Sequence, residues 1–202
     1  MHVEILVEEP SAEAALRILV PRILGGEATL EIRVFQGKPD LLAKLPARLR
    51  AYRAWVPQDW RIVVLLDNDG RDCTEEKRRL EEIALGAGFK TRSSTGGRSD
   101  FEVLTRLAIE ELEAWFFGDV EALCAAYPGI PASLGSRAGY RDPDAIAGGT
   151  AEALERELKK AGHHQGGLSK IQAAREIAAH MDPGRNRSRS FQCFRRGLLS
   201  LA

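Results

Sequence analysis

In the first half of the chain, short apolar runs alternate with amphipathic stretches. Residues 3–7 are mostly apolar and stop at Glu8-Glu9-Pro10, where proline prevents a ladder from continuing. Ser11 then reads as the N-cap of a helix over 12–24. Its Ala15, Leu16, Leu19 and Ile23 recur at helical spacing, and Gly25-Gly26 ends it. Residues 29–35 alternate apolar and polar, as a half-covered strand does. A helix is predicted over 41–55, kinked or split by Pro46. The run RIVVLL at 61–66 is the strongest strand signal: short, apolar, β-branched, and so central and buried on both faces. An amphipathic helix follows over 74–85, closed by Gly86 and Gly88. After it come a short strand over 89–93, a loop over 95–99 and a further strand over 101–108.

From Ile109 the pattern becomes helical. Two short helices, 111–117 and 120–127, meet at Gly118-Asp119. A stretch rich in Gly, Pro and Asp covers 128–150, and helices are predicted over 151–161, 169–180 and 191–199. Strands alternating with helices imply an α/β, Rossmann-like fold, with a mainly parallel sheet and helices on both faces. Residues 1–108 form that core, and 109–202 form a helical C-terminal region packed on it as one compact domain.

Composition narrows the function classes. Lys+Arg and Asp+Glu both number 29, so no global field attracts a polyanion, and any basic surface is local. Cys73, Cys124 and Cys193 lack CxxC spacing, which excludes a zinc knuckle and a disulfide framework and fits a reducing cytoplasm. The N-terminus has an acidic pair where a signal peptide needs its apolar stretch, and no run is long enough for a membrane helix. A cytoplasmic location without membrane contact is therefore expected. The chain has no GxxxxGK[ST] segment and no nucleophile elbow.

The acids sit where ligands bind. In an open parallel sheet the binding crevice lies outside the carboxyl ends of the strands. Glu8 and Glu9 end the first strand, while Asp67 and Asp69 end the strongest one, in LLDNDG. Residues two apart in an extended segment point the same way, so Asp67 and Asp69 should share a face. Carboxylates aimed into one space repel, and a hard divalent cation such as Mg²⁺ relieves that repulsion. The plainer reading is that these acids only cap helices and turn the chain.

The segments ILVEEPSAEAAL and VVLLDNDG together resemble the Toprim domain, in which a glutamate ends the first strand and a DxD ends a later one. Several further stretches are similar to a family of small bacterial Toprim-like proteins related to OLD-family nucleases: GKPDLLAKLP, DNDGRDC, AIEELEAWFFGD, YRDPDAI, SKIQAAREIAAHMDP and NRSRSFQCFRRGL. The resemblance implies a Toprim-like fold. It places Glu8 as metal ligand or general acid/base, and Asp67 and Asp69 as ligands of Mg²⁺ or Mn²⁺. The sequence departs from the pattern at Glu9, where glycine is usual, and at Ala12, where an acid is common. Glu13 stands one position further on.

Other residues enter on weaker signals. Lys38, after Gly37, can neutralise a phosphate near the same edge, or simply be an exposed loop lysine. Glu110 and Glu113 are i,i+3 neighbours on a helix starting near Ile109. The resemblance singles out Glu113, and Asp119 and Lys170 less strongly. Trp55, Trp60 and Trp115 read as core or junction residues. His163-His164, between glycines, carries no site. GRNRSRSFQCFRRG holds Arg185, Arg187, Arg189, Arg195 and Arg196 without an acid. That makes it a local basic patch suited to nucleic acid or an acidic partner, or else a solvated helix that Ser188 or Ser190 caps.

The preferred expectation is a metal-dependent phosphodiesterase, a nuclease on DNA or RNA, with Glu8, Lys38, Glu113 and Lys170 as candidate catalytic residues. By resemblance it would work with an ATPase supplied in trans, in phage defence. The alternative is a non-catalytic binding subunit of an ATPase complex, favoured by Glu9 and Ala12. A nucleotidyl transferase would use the same metal site but needs a nucleotide pocket.

Overall fold

The computed structural model describes every residue except Glu27, Arg71, Ser99 and Ala202. Its centre is a four-stranded, all-parallel sheet built from β1 (His2–Val7), β2 (Thr29–Val34), β3 (Trp60–Asp67) and β4 (Val103–Ala108), in the spatial order β2-β1-β3-β4. β3 is central, paired with β1 on one side and β4 on the other, as its uninterrupted apolar run requires.

The sheet is covered on both faces. On one, Leu6, Ile62, Val64, Leu66, Val103 and Leu107 pack with helices α2 (Lys38–Trp55) and α3 (Cys73–Gly86). On the other, Val3, Ile5, Val63, Leu65 and Leu104 meet α1 (Pro10–Leu24) and the C-terminal helices. These are α4 (Glu113–Phe117), α5 (Val120–Ala126), α6 (Thr150–Lys160), α7 (Lys170–Ala178) and α8 (Arg189–Leu199). Residues of both halves of the chain therefore belong to one core, with Trp115, Phe191 and Phe194 fully buried among them. No helix among the described residues is long and apolar enough to cross a membrane.

Several local expectations change. Pro46 does not split α2, which runs unbroken and starts at Lys38, just after Gly37 at φ +84°. The cap of α1 is Glu9 rather than Ser11. Pro10 takes the first helical position, and Ser11 Oγ donates to Glu9 Oε1 at 2.5 Å. Residues 89–93 do not form a strand. A single bridge joins Thr91 to Val103, because the Thr91 and Ser94 side chains turn the backbone through local hydrogen bonds. That turn leads into the loop at 95–99, whose last residue, Ser99, lies outside the described residues. The stretch 128–150 contains three short 3₁₀ turns. Trp55 is exposed, set edge-on to Trp60, so only Trp115 of the three tryptophans is a core residue.

The motifs of the C-terminal half are joints between segments. Asp144 of YRDPDAI accepts from Ser188 Oγ, Ser190 Oγ, Arg189 N and Ser190 N at 2.6–3.2 Å, which ties the start of α8 to a distant loop. Ser188 caps the same helix by accepting from Phe191 N. Asn186 donates to the Trp115 carbonyl at 2.7 Å, and Trp115 Nε1 donates to Ser190 Oγ at 2.8 Å. Asp119, fully buried, caps α5 and receives the Arg185 guanidinium at 2.8 and 3.0 Å.

Candidate functional site

The order β2-β1-β3-β4 places a reversal of the winding direction between the parallel strands β1 and β3. The connection from β1 leads outward one way to β2, and that from β3 leads the other way to β4. Such a switch point opens a crevice at the carboxyl ends of the strands. Glu8 follows β1 and Asp67 ends β3, so the two flank that crevice, and Glu8 Oε1 accepts the Asp67 N–H at 2.6 Å.

Asp69 lies nearby but not by simple alternation. It takes the left-handed conformation at φ 51°, followed by Gly70 at φ 67°, so the extended geometry that would align it with Asp67 is absent. Its N–H donates to the Glu110 carbonyl at 2.8 Å. Glu110 is itself left-handed at φ 61° and precedes α4, which corrects the expectation of a helical Glu110–Glu113 pair. Lys38 is buried and fills the space between these elements. Its Nζ donates to the Asp67 carbonyl at 2.7 Å and lies 3.2 Å from both Asp69 Oδ2 and Glu76 Oε2. The exposed-lysine reading is excluded.

A second layer closes over Asp67 from the helical half. Glu113, 1% exposed, begins α4, with Oε1 3.6 Å from Lys170 Nζ and Oε2 lacking any hydrogen-bond partner. Lys170, the first residue of α7, is also 3.5 Å from Glu111 and 3.9 Å from Glu9. Glu111 is held by the start of α6, where Ala151 N and Thr150 Oγ1 donate to Oε2 at 2.9 and 3.1 Å.

Charge is under-compensated here. Burial raises the Asp67 pKa well above the carboxylate range, and Glu8, Glu113, Glu9 and Asp69 add to the rise. Burial likewise raises Glu8; the Asp67 N–H opposes this, while Asp69 adds to it. Glu113 is pushed to about 7 by burial, with Lys170 working against the shift. Burial disfavours the Lys170 ammonium, yet Glu113, Glu9 and Glu111 together hold its pKa above the ordinary lysine value. As they stand, no group of three or more His, Cys, Asp or Glu side chains among the described residues is gathered tightly enough to chelate a metal ion.

All six candidate residues thus reach one edge: Glu8, Lys38, Asp67 and Asp69 in direct contact, Glu113 and Lys170 through the field on Asp67. Glu13 does not join them, pairing instead with Arg17 at 2.7 Å. Sequence reasoning passed over Glu76 and Glu111. It placed Glu9 beside Glu8 at the end of the first strand and noted it as a departure from the usual glycine, but did not foresee that the Glu9-Pro10 step starts a helix and that this acid faces Lys170. The C-terminal basic patch divides, since Arg185 is consumed by Asp119 and Glu121 and Arg187 donates to the Gly135 carbonyl.

No curated protein and no solved structure matches this chain significantly. A family model described as "Domain of unknown function (DUF4276)" matches residues 7–199, a span that includes the whole acidic edge and the joints that support it. The chain belongs to the DUF4276 family.

Proposed function

We propose that the acidic edge binds a divalent cation, Mg²⁺ or Mn²⁺, and that the protein is a metal-dependent phosphodiesterase acting on DNA or RNA. The observation that carries the reading is the convergence of Glu8, Asp67, Asp69 and Glu113 at the switch point of a parallel sheet, with too little positive charge to balance them. Burying carboxylates unpaired costs stability, and a hard cation is the ligand that removes that cost. The residues fit the ion. They offer oxygen donors only, and Glu113 Oε2 is a buried oxygen with nothing to accept. Glu8, Asp67 and Asp69 would hold it.

When bound, such an ion supplies Lewis-acid polarisation of a scissile phosphate. The chain supplies the rest. Lys38, pinned between the Asp67 carbonyl and Asp69, holds a fixed positive charge where a phosphoryl group would collect negative charge. Glu113, with a pKa near 7, can take a proton from an attacking water at neutral pH. Lys170 keeps Glu113 in place. The resemblance to OLD-family Toprim nucleases extends the reading to an ATPase partner in trans and to phage defence, by analogy of fold alone.

One observation favours a non-catalytic subunit instead: Glu8 is already engaged by the Asp67 N–H, and Lys38 already occupies Asp69. Cleavage of mixed DNA and RNA substrates with Mg²⁺ or Mn²⁺ separates the two, comparing wild type with Asp67→Ala. Activity lost in the variant and in chelator supports the phosphodiesterase. No cleavage by the wild type, alone or with a neighbouring ATPase, sinks it in favour of the scaffold.

A further inference from the structure

The second charged feature of the molecule is positive and lies along α8. Arg189, Cys193, Arg196 and Ser200 follow one another at helical spacing on the face opposite the buried Phe191, Phe194 and Leu198. Arg189 and Arg196 are exposed, and their Cα atoms stand about 10 Å apart along the helix. At the C-terminal end of this stripe, Arg92 Nε donates to Ser200 Oγ at 3.1 Å. Beneath it, Arg106 of β4 is 7% exposed and donates to the Cys193 carbonyl at 3.1 Å and to the Thr105 carbonyl at 2.7 Å. Gly197 makes room for that guanidinium, because a Cβ there would lie 2.7 Å from Arg106 Nη2.

Among the described residues, none of Arg92, Arg106, Arg189 and Arg196 has an acid within ion-pairing distance, whereas Arg185 on the preceding loop is fully paired. Burial lowers the Arg106 pKa, and the nearby Arg92 and Arg196 add to the shift while Cys193 and Glu81 oppose it, so three guanidinium groups are gathered here with only partial compensation. Arginine forks suit phosphate oxygens, and a row of them suits repeating phosphates better than one small anion. The strand beneath the row leads to the acidic edge. Arg106 pairs in register with Leu65, two residues before Asp67, so it sits about 7 Å back along the neighbouring strand.

We infer that Arg92, Arg189 and Arg196 form a track for the backbone phosphates of a nucleic-acid strand, with the buried Arg106 adding positive charge from beneath, and that the track leads toward the acidic edge. The inference rests on the phosphodiesterase reading for its choice of polyanion, but binding to the track requires no metal. The test is fluorescence anisotropy of labelled single-stranded DNA and RNA 20-mers with the full chain in EDTA, over a series of salt concentrations. The proteins compared are wild type, Arg189→Ala/Arg196→Ala and Arg92→Ala. These side chains lie at the surface, and circular dichroism confirms folding. The double variant should bind about tenfold more weakly, with a salt slope reduced by about 1.4, and Arg92→Ala should reduce the slope by about 0.7. An unchanged affinity and slope in the double variant overturns the track, as does a wild type that binds neither strand. Tighter binding to anionic phospholipid vesicles than to either strand also overturns it. Because the assay contains no divalent ion, failure here leaves the cleavage test standing, and failure of cleavage leaves this result standing.

Discussion

Replacing Glu113 with glutamine removes one carboxylate from the crowded edge while keeping its size. Glu113 is 1% exposed and its pKa is raised from 4.5 to about 7. A carboxyl raised in the folded state gives a contribution to stability that is fully present below about 4.5. That contribution is lost as pH rises through about 7, because the folded protein binds the proton more tightly than the unfolded chain. The interval corresponds to about 3 kcal/mol at most. Glu8 and Asp67 are raised as well and act in the same direction. The carboxylates with lowered pKa values, such as Glu81 and Glu157, act oppositely but titrate below this window. Metal-free wild type should therefore lose stability between pH 5 and pH 8. Glu113→Gln should match wild type near pH 5 and exceed it by about 2–3 kcal/mol at pH 8, with Lys170 still facing Glu9 and Glu111. Urea unfolding at each pH in EDTA measures the difference. A gap that does not widen with pH, or a variant less stable at pH 8, would refute the claim that Glu113 is buried without adequate compensation.

Lys38→Met should bind Mg²⁺ on the order of tenfold more tightly in calorimetry, because it removes a positive charge held 3.2 Å from Asp69, while cleavage falls. Weaker binding would mean that Lys38 organises the acids rather than competing with the ion. Asp144→Ala strips four donors of their acceptor at the start of α8 and should cost about 2–3 kcal/mol in urea unfolding. Gly118→Ala puts a Cβ 2.8 Å from Asn186 Cγ and 2.9 Å from Ser188 N, both pinned by their own hydrogen bonds. A loss of about 2–4 kcal/mol is expected, and a melting temperature within a degree of wild type would contradict the packing described.

The fold was largely legible because its signals are local. RIVVLL forms the central buried strand as its pattern predicts, and Gly25-Gly26 and Gly86 mark the ends of α1 and α3. Errors arose where side chains or single dihedral angles override the pattern. Residues 89–93 have strand composition, but the Thr91 and Ser94 hydroxyls capture the backbone. That the acids at the ends of β1 and β3 share one edge was readable, since chain order alone puts them there. Their geometry was not, because it depends on left-handed conformations at Asp69 and Glu110, neither of them a glycine. Glu113 and Lys170 stood out by resemblance only. Nothing within either segment announces that residues 57 positions apart form one ion pair across two helices.

Helix α8 supplies Phe191, Phe194 and Leu198 to the same core as Leu104 and Trp115, and its ring contacts with Trp115 close the far side of the sheet. It also follows all four strands in chain order. A nascent chain can thus pair all four strands while one face of β4 still lies open to water. Throughout that interval the unfinished protein presents apolar surface that chaperones and proteases recognise. Fragments ending before residue 189 would carry every acid of the proposed metal site yet lack the helix that seals the core behind it. Mapping activity by C-terminal truncation would therefore report on survival of the chain rather than on its chemistry.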